Sequence, residues 1–116
     1  MELSIVVPVF NEEENVEPLI REICGALAHI KKSYEIVVVD DGSNDRTFAV
    51  LSRLYGQERA LNVVRLKRNF GQTAALAAGL AYASGEIVVL MDGDGQNDPA
   101  DIPALLAKLR QGNDLG

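Results

Sequence analysis

Four times in this chain a short run of apolar, largely β-branched residues ends in polar turn chemistry and gives way to a helical pattern, and that alternation leaves few folds open. The runs are LSIVVPV (3–9), YEIVVVDDG (34–42), LNVVRL (61–66) and EIVVLMD (86–92). The first is continuously apolar, which is what a strand buried on both faces looks like, and the others read as strands after it. After the first run, Val16, Leu19, Ile20, Ile23, Cys24 and Leu27 recur at three- and four-residue spacing, and Asn11 with Glu14 predicts a capping box, so 11–31 reads as an amphipathic helix. Val50, Leu51 and Leu54 give the second helix its inner face before Gly56 ends it. A helix rich in small residues follows from about Gly71 to Ala83, with Ala74, Ala75, Ala77, Ala78 and Ala81 expected to allow close approach to the sheet. Asp98 then predicts a cap for a fourth helix, with Pro99 at its first position and Ile102, Leu105, Leu106 and Leu109 facing inward.

Four strand–helix units with short connections predict a parallel sheet with helices on both faces, a Rossmann-like α/β sandwich, because crossovers are right-handed and other arrangements leave apolar faces wet. A length of 116 residues suits a single domain, here 1–116. In such sheets ligands sit beyond the carboxyl ends of the strands. The segments leaving those ends are PVFNEE, DDGSND, KRNFGQ and DGDGQND, so polar and acidic residues gather on one edge. The formal charge of −6 argues against nucleic acid as a partner. No apolar run approaches a membrane span, nothing resembles a secretory leader, and the single cysteine, Cys24, is expected to be a buried packing residue in a reducing compartment. Asn113-Asp114-Leu115-Gly116 reads as the approach to a fifth strand, which predicts a fragment of a longer protein with an open sheet edge and self-association through it.

Asp92 and Asp94 are two apart, so in extended backbone both carboxylates lie on one side, and hard oxygens at that spacing suit Mg²⁺ or Mn²⁺. Bare, this edge repels phosphate; with a divalent cation the local sign reverses and it becomes a diphosphate clamp. Asp40-Asp41-Gly42-Ser43 is also turn and cap vocabulary, yet a functional Asp41 would accept a hydrogen bond such as the N–H of a nucleobase. Pro8 and Phe10 place a rigid residue and an aromatic at the end of the first strand, where the ring can pack on a base or ribose, with Glu12 beside it. Capping accounts for Asn11 and Glu14. The one dense basic cluster, Arg65 to Asn69, falls at the end of the third strand, where it can meet phosphates or simply face solvent. His29 reads as a surface residue.

PVFNEEENV, VVVDDGSNDRT, RNFGQTAALAAGL and MDGDGQNDP, in that order and spacing, closely resemble the N-terminal half of family-two inverting glycosyltransferases of the GT-A fold, and among them the polyprenyl-phosphate glycosyltransferases of the dolichyl-phosphate mannose synthase type. The resemblance covers essentially the whole chain. It implies a UDP- or GDP-sugar donor, with Pro8, Phe10, Glu12 and Asp41 holding the nucleoside and Val39 beside it. It further implies that Asp92, Asp94 and Gln96 hold the metal and diphosphate, and that Lys67, Asn69, Gly71 and Gln72 line the same pocket. Gly93 and Gly95 stand where that family usually has Ala and Leu, which loosens the turn. The implied acceptor is a polyprenyl (dolichyl or undecaprenyl) phosphate, itself a competent anionic nucleophile, bound by residues beyond 116 at the cytoplasmic face of a membrane. The fragment is expected to be soluble and to bind donor without transferring sugar.

Two other readings compete. An apolar strand ending in Asp-x-Asp-Gly is also the mark of haloacid-dehalogenase-type phosphatases, with Asp92 as nucleophile, but there it generally opens the domain. A non-enzymatic receiver domain wants its acidic pair after the first strand, whereas Asp40-Asp41 follow the second.

Overall fold

The computed structural model describes residues 1–91, 99 and 101–103. Within them the order is β1 (Leu3–Val9), α1 (Val16–Leu27), β2 (Tyr34–Asp40), α2 (Thr47–Tyr55), β3 (Leu61–Arg65), α3 (Gln72–Tyr82) and β4 (Ile87–Leu90). The strands form one parallel sheet in the order β3-β2-β1-β4. The expected α/β architecture is therefore the one found. Chain order reverses at β1, which has β2 on one side and β4 on the other, the switch point at which open α/β sheets bind ligands.

Burial follows position in the sheet. Every residue of β1 is buried, as are all of β2 after Tyr34, whereas β3 and β4 are partly exposed as the two edges among the described residues. Ile5, Val7, Val9, Ile36 and Val38 pack with Val16, Ile20, Ile23, Leu51 and Leu54 of α1 and α2 on one face. Val6, Val37 and Val39 pack with Ala75 of α3 on the other. The alternation is the period-two pleat with an apolar layer on each side. Ile102 is buried in the first cluster, as expected; Asp98, Leu105, Leu106 and Leu109 lie outside the described residues.

Three expectations are corrected. The first helix starts at Val16, not at residue 11, and ends at Leu27; its N-cap is Asn15, with no side-chain cap bond, so the Asn11–Glu14 box does not form. Asn11 instead adopts φ 53 and engages a different loop. The alanines of α3 do not act alike: Ala74, Ala77 and Ala81 face solvent, and the close approach is made by Ala75 and Gly79. A Cβ on Gly79 would overlap Val6 Cγ1 and lie 3.1 Å from Val39 Cγ2. Cys24 is half-buried, its Sγ 3.9 Å from Glu58 Oε2, because it lies at the margin of the α1 stripe; burial pushes its thiol pKa up. His29 is exposed, as read from its position.

At the amino-terminal end of the sheet, Glu35 is only 5% exposed and joins three strands. Its carboxylate accepts hydrogen bonds from Ser4 Oγ (2.6 Å), Asn62 Nδ2 (2.9 Å), Ser84 N (2.8 Å) and Ser84 Oγ (2.9 Å). Burial alone would raise this carboxyl; the four donors outweigh it and hold the pKa below the usual value.

Candidate functional site

Three loops leave the carboxyl edge of the sheet and are tied to one another by side chains rather than by the ladder. At the end of β2, Asp41 is 3% exposed. Its Oδ1 accepts the N–H of Phe70 (2.8 Å), and its Oδ2 accepts the N–H of Gly71 (3.0 Å) and the Asn69 amide (3.1 Å). Gly42 (φ 69) lies directly beneath the Arg68–Asn69 backbone, where any Cβ would collide. The β2–α2 turn thus serves as the floor for residues 68–71, and Gly71 in turn takes φ 101 as it enters α3.

The same turn grips the β1–α1 loop from the other side. Asn11 N donates to Ser43 Oγ (2.9 Å), Asn44 N to Asn11 Oδ1 (2.8 Å), Glu12 N to Thr47 Oγ1 (2.9 Å) and Glu13 N to Asp45 Oδ2 (3.3 Å). Asp45 Oδ1 also accepts from the backbone and hydroxyl of Thr47. Burial would raise the Asp45 carboxyl, but these bonds hold it low. Ser43, Asn44, Asp45 and Thr47 are therefore interlocking residues, a role that local sequence does not signal because each one's partner in the other loop is more than thirty positions away.

The sequence-derived candidates divide accordingly. Phe10 (39% exposed), Glu12, Lys67, Asn69 and Gly71 lie on these loops at the strand ends, Gln72 opens α3 next to them, and all are at least partly accessible. Glu12 Oε2 accepts from the Asn15 side chain at 2.8 Å. Pro8 and Val39 are buried cross-strand partners, and Val39 packs under α3, so its side chain belongs to the core. Pro8 lies beyond the last described β1–β4 pair, Val6–Leu90, where its missing N–H interrupts no described rung. Asp40 is fully buried on the opposite face from Asp41; its Oδ1 accepts from Ser43 N (3.0 Å), while Oδ2 has no partner among the described residues. In the basic cluster, the Arg65 guanidinium lies 4.1 Å from the centroid of Phe48 and that of Arg68 4.8 Å from Phe70, so both charges rest on aromatic faces.

Asp92, Asp94 and Gln96 lie outside the described residues. Met91, which precedes them, is buried and donates its N–H to Val6 O at 2.9 Å, on the switch-point side of β1. Among the described residues no three His, Cys, Asp or Glu side chains gather as a metal site. A groove of about 260 Å³ lined by Phe48, Ser52, Tyr55, Asn62, Val63 and Tyr82 runs along the β3 edge, apart from the strand-end loops.

The chain is 46% identical over 112 residues to the dodecaprenyl-phosphate galacturonate synthase of Rhizobium johnstonii, covering 96% of this chain and 33% of that protein. It is 42% identical over 114 residues to the undecaprenyl-phosphate 4-deoxy-4-formamido-L-arabinose transferase of Pectobacterium atrosepticum, covering 97% and 35%. The chain thus spans about a third of the length of these curated relatives. Among solved structures it resembles a mannosyltransferase from Pyrobaculum calidifontis in complex with GDP-Man and Mn²⁺, with TM-score 0.79 and 30% identity over 92% of this chain and 31% of that one. It also resembles the glucosyl-3-phosphoglycerate synthase of Mycobacterium tuberculosis in complex with Mn²⁺, UDP-glucose and phosphoglyceric acid, with TM-score 0.73 and 30% identity, covering 97% and 40%. The family model described as Glycosyl transferase family 2 matches residues 4–115, nearly the full length, and the chain belongs to that family.

Proposed function

We propose that residues 1–116 are the nucleotide-sugar-binding part of a GT-A transferase that moves a sugar from a UDP- or GDP-sugar to a polyprenyl phosphate at the cytoplasmic face of a membrane. The observation that carries the reading is the convergence of three mutually locked loops, with an exposed aromatic ring, at the switch-point edge of the sheet. The relatives named for dodecaprenyl- and undecaprenyl-phosphate products support the acceptor class. The phosphatase and receiver readings receive no support from a family match across residues 4–115.

In this reading Phe10 packs on the nucleoside, while Pro8 and Val39 shape the backbone beneath it. Glu12 and Asp41 supply acceptors, and Lys67, Asn69, Gly71 and Gln72 line the pocket wall. Asp41 acts at least in part through the loop it holds, since three donors of residues 69–71 already engage it. The donor set of Asp92, Asp94 and Gln96, all hard oxygen ligands, suits Mg²⁺ or Mn²⁺; bound there, such an ion supplies charge neutralisation for the leaving diphosphate. Two structural neighbours carry Mn²⁺, which supports a divalent ion. Attack by the lipid phosphate opposite the leaving group inverts the anomeric centre and requires no strong base. No described helix is long and apolar enough to cross a membrane.

The test is to incubate the chain, and a version extended through the remaining length of its relatives, with labelled UDP- and GDP-sugars, Mn²⁺ and polyprenyl phosphate. Glycolipid from the longer protein alone is expected. Transfer by residues 1–116 alone would show that the acceptor site is already present, and no glycolipid from either would contradict the assigned reaction.

A further inference from the structure

Asn11 is the one non-glycine residue with positive φ among the described residues, and it sits between two of the candidate nucleoside contacts. Helix capping does not explain it, because α1 begins five positions later with Asn15 as its N-cap. Its left-handed backbone, a conformation that asparagine tolerates better than most residues, lets one residue make a paired clasp with its backbone N–H and its side-chain oxygen. The Asn11 N–H reaches Ser43 Oγ (2.9 Å), while Asn11 Oδ1 takes the N–H of Asn44 (2.8 Å). One residue before Phe10, Val9 O accepts the N–H of Asp41 (2.9 Å); one residue after Asn11, Glu12 N donates to Thr47 Oγ1 (2.9 Å). The backbone around Phe10 is therefore pinned to the β2–α2 turn on both sides, while the residue remains 39% exposed.

Full burial would explain ordering an aromatic; a ring with two-fifths of its residue surface left open on a pinned backbone contributes less to the fold than a buried one would. Such an arrangement suits a surface whose ordering cost is met before a ligand arrives. We propose that Asn11 is a positioning residue, which through its paired bonds to Ser43 and Asn44 holds Phe10 as a preformed platform for the base or ribose of the donor. The inference rests on the nucleotide-sugar reading above and extends it to a residue whose side-chain oxygen is engaged by Asn44.

The test combines Asn11→Gly, which keeps the backbone conformation but deletes the acceptor, with Asn11→Asp, which keeps both. Affinity for UDP and GDP with Mn²⁺ is measured by calorimetry, alone and in a Phe10→Ala background, and amide exchange at Asn44 is followed without ligand. Asn11→Gly is expected to stay folded, to speed Asn44 exchange and to weaken nucleotide binding roughly 2- to 13-fold, the scale of one immobilised side chain. Asn11→Asp should restore affinity, and in the Phe10→Ala background Asn11→Gly should have no further effect. Unchanged affinity in Asn11→Gly despite faster Asn44 exchange, or the same loss with and without Phe10, would overturn the inference and leave the nucleotide reading standing. If the unmodified chain binds neither nucleotide, the reading itself fails and the platform with it; a protected Asn44 amide would then identify the clasp as purely structural.

Discussion

Gly42 and Arg68 are in backbone contact so close that no side chain fits between them: a Cβ on Gly42 would overlap the Arg68 carbonyl carbon. With φ 69 as well, position 42 carries two separate requirements for glycine. Gly42→Ala should therefore lose roughly 2–4 kcal/mol in chemical denaturation, about 1 from the left-handed backbone and the rest from displacing residues 68–71. Unchanged stability would mean that the β3–α3 loop does not rest on this turn.

Asp41 holds the same loop by hydrogen bonds. Asp41→Ala leaves the N–H groups of Phe70 and Gly71 without their acceptor and should lower stability by about 2–4 kcal/mol. Asp41→Asn keeps one oxygen and should lose less. If the folded Asn variant also loses its preference between UDP and GDP while keeping metal dependence, Asp41 contacts the base in addition to the loop; calorimetry with each nucleotide reads this directly.

On α3, two effects of Gly79→Ala oppose each other. Alanine improves helix propensity by about 1 kcal/mol, but its methyl would overlap Val6 Cγ1 on a fully buried residue of β1. Overpacking of this kind costs about 1–3 kcal/mol, so a net loss of stability is expected. By contrast, replacing exposed Ala74 or Ala77 should change the melting temperature little.

Glu35 sets an acid limit on the fold. Its folded pKa lies below the ordinary glutamate value of 4.5, so its stabilising contribution is complete above 4.5 and is lost as pH falls through the folded value. Glu35→Gln, which turns an NH₂ toward groups that are themselves donors, should cost about 2–4 kcal/mol near neutral pH. The gap in melting temperature between the two proteins should narrow below pH 4.5. A gap independent of pH would show that folding does not lower the Glu35 pKa.

The four strands and the helices covering both faces of the sheet were legible because apolar runs and three-to-four spacing are local signals. What escaped is what depends on distant partners. Asn11 followed three later by Glu14 has the same local pattern as a capping box, and only Ser43 and Asn44, over thirty residues away, reveal its other use. Asp41 reads as turn chemistry or as a ligand, and its actual donors lie 28 to 30 positions along the chain. In α3 the small residues are alike in sequence; the azimuth at which the helix docks singles out Ala75 and Gly79.

The most direct test of the account is a calorimetric titration of UDP and GDP into the chain with Mn²⁺ and again with chelator, repeated with Asp94→Asn. At least one nucleotide should bind with Mn²⁺, lose most of its affinity in chelator, and bind the Asn variant more weakly by roughly 2–4 kcal/mol, the scale of removing a charged partner. Equal affinity with and without the ion would contradict a metal-clamped nucleotide-sugar site.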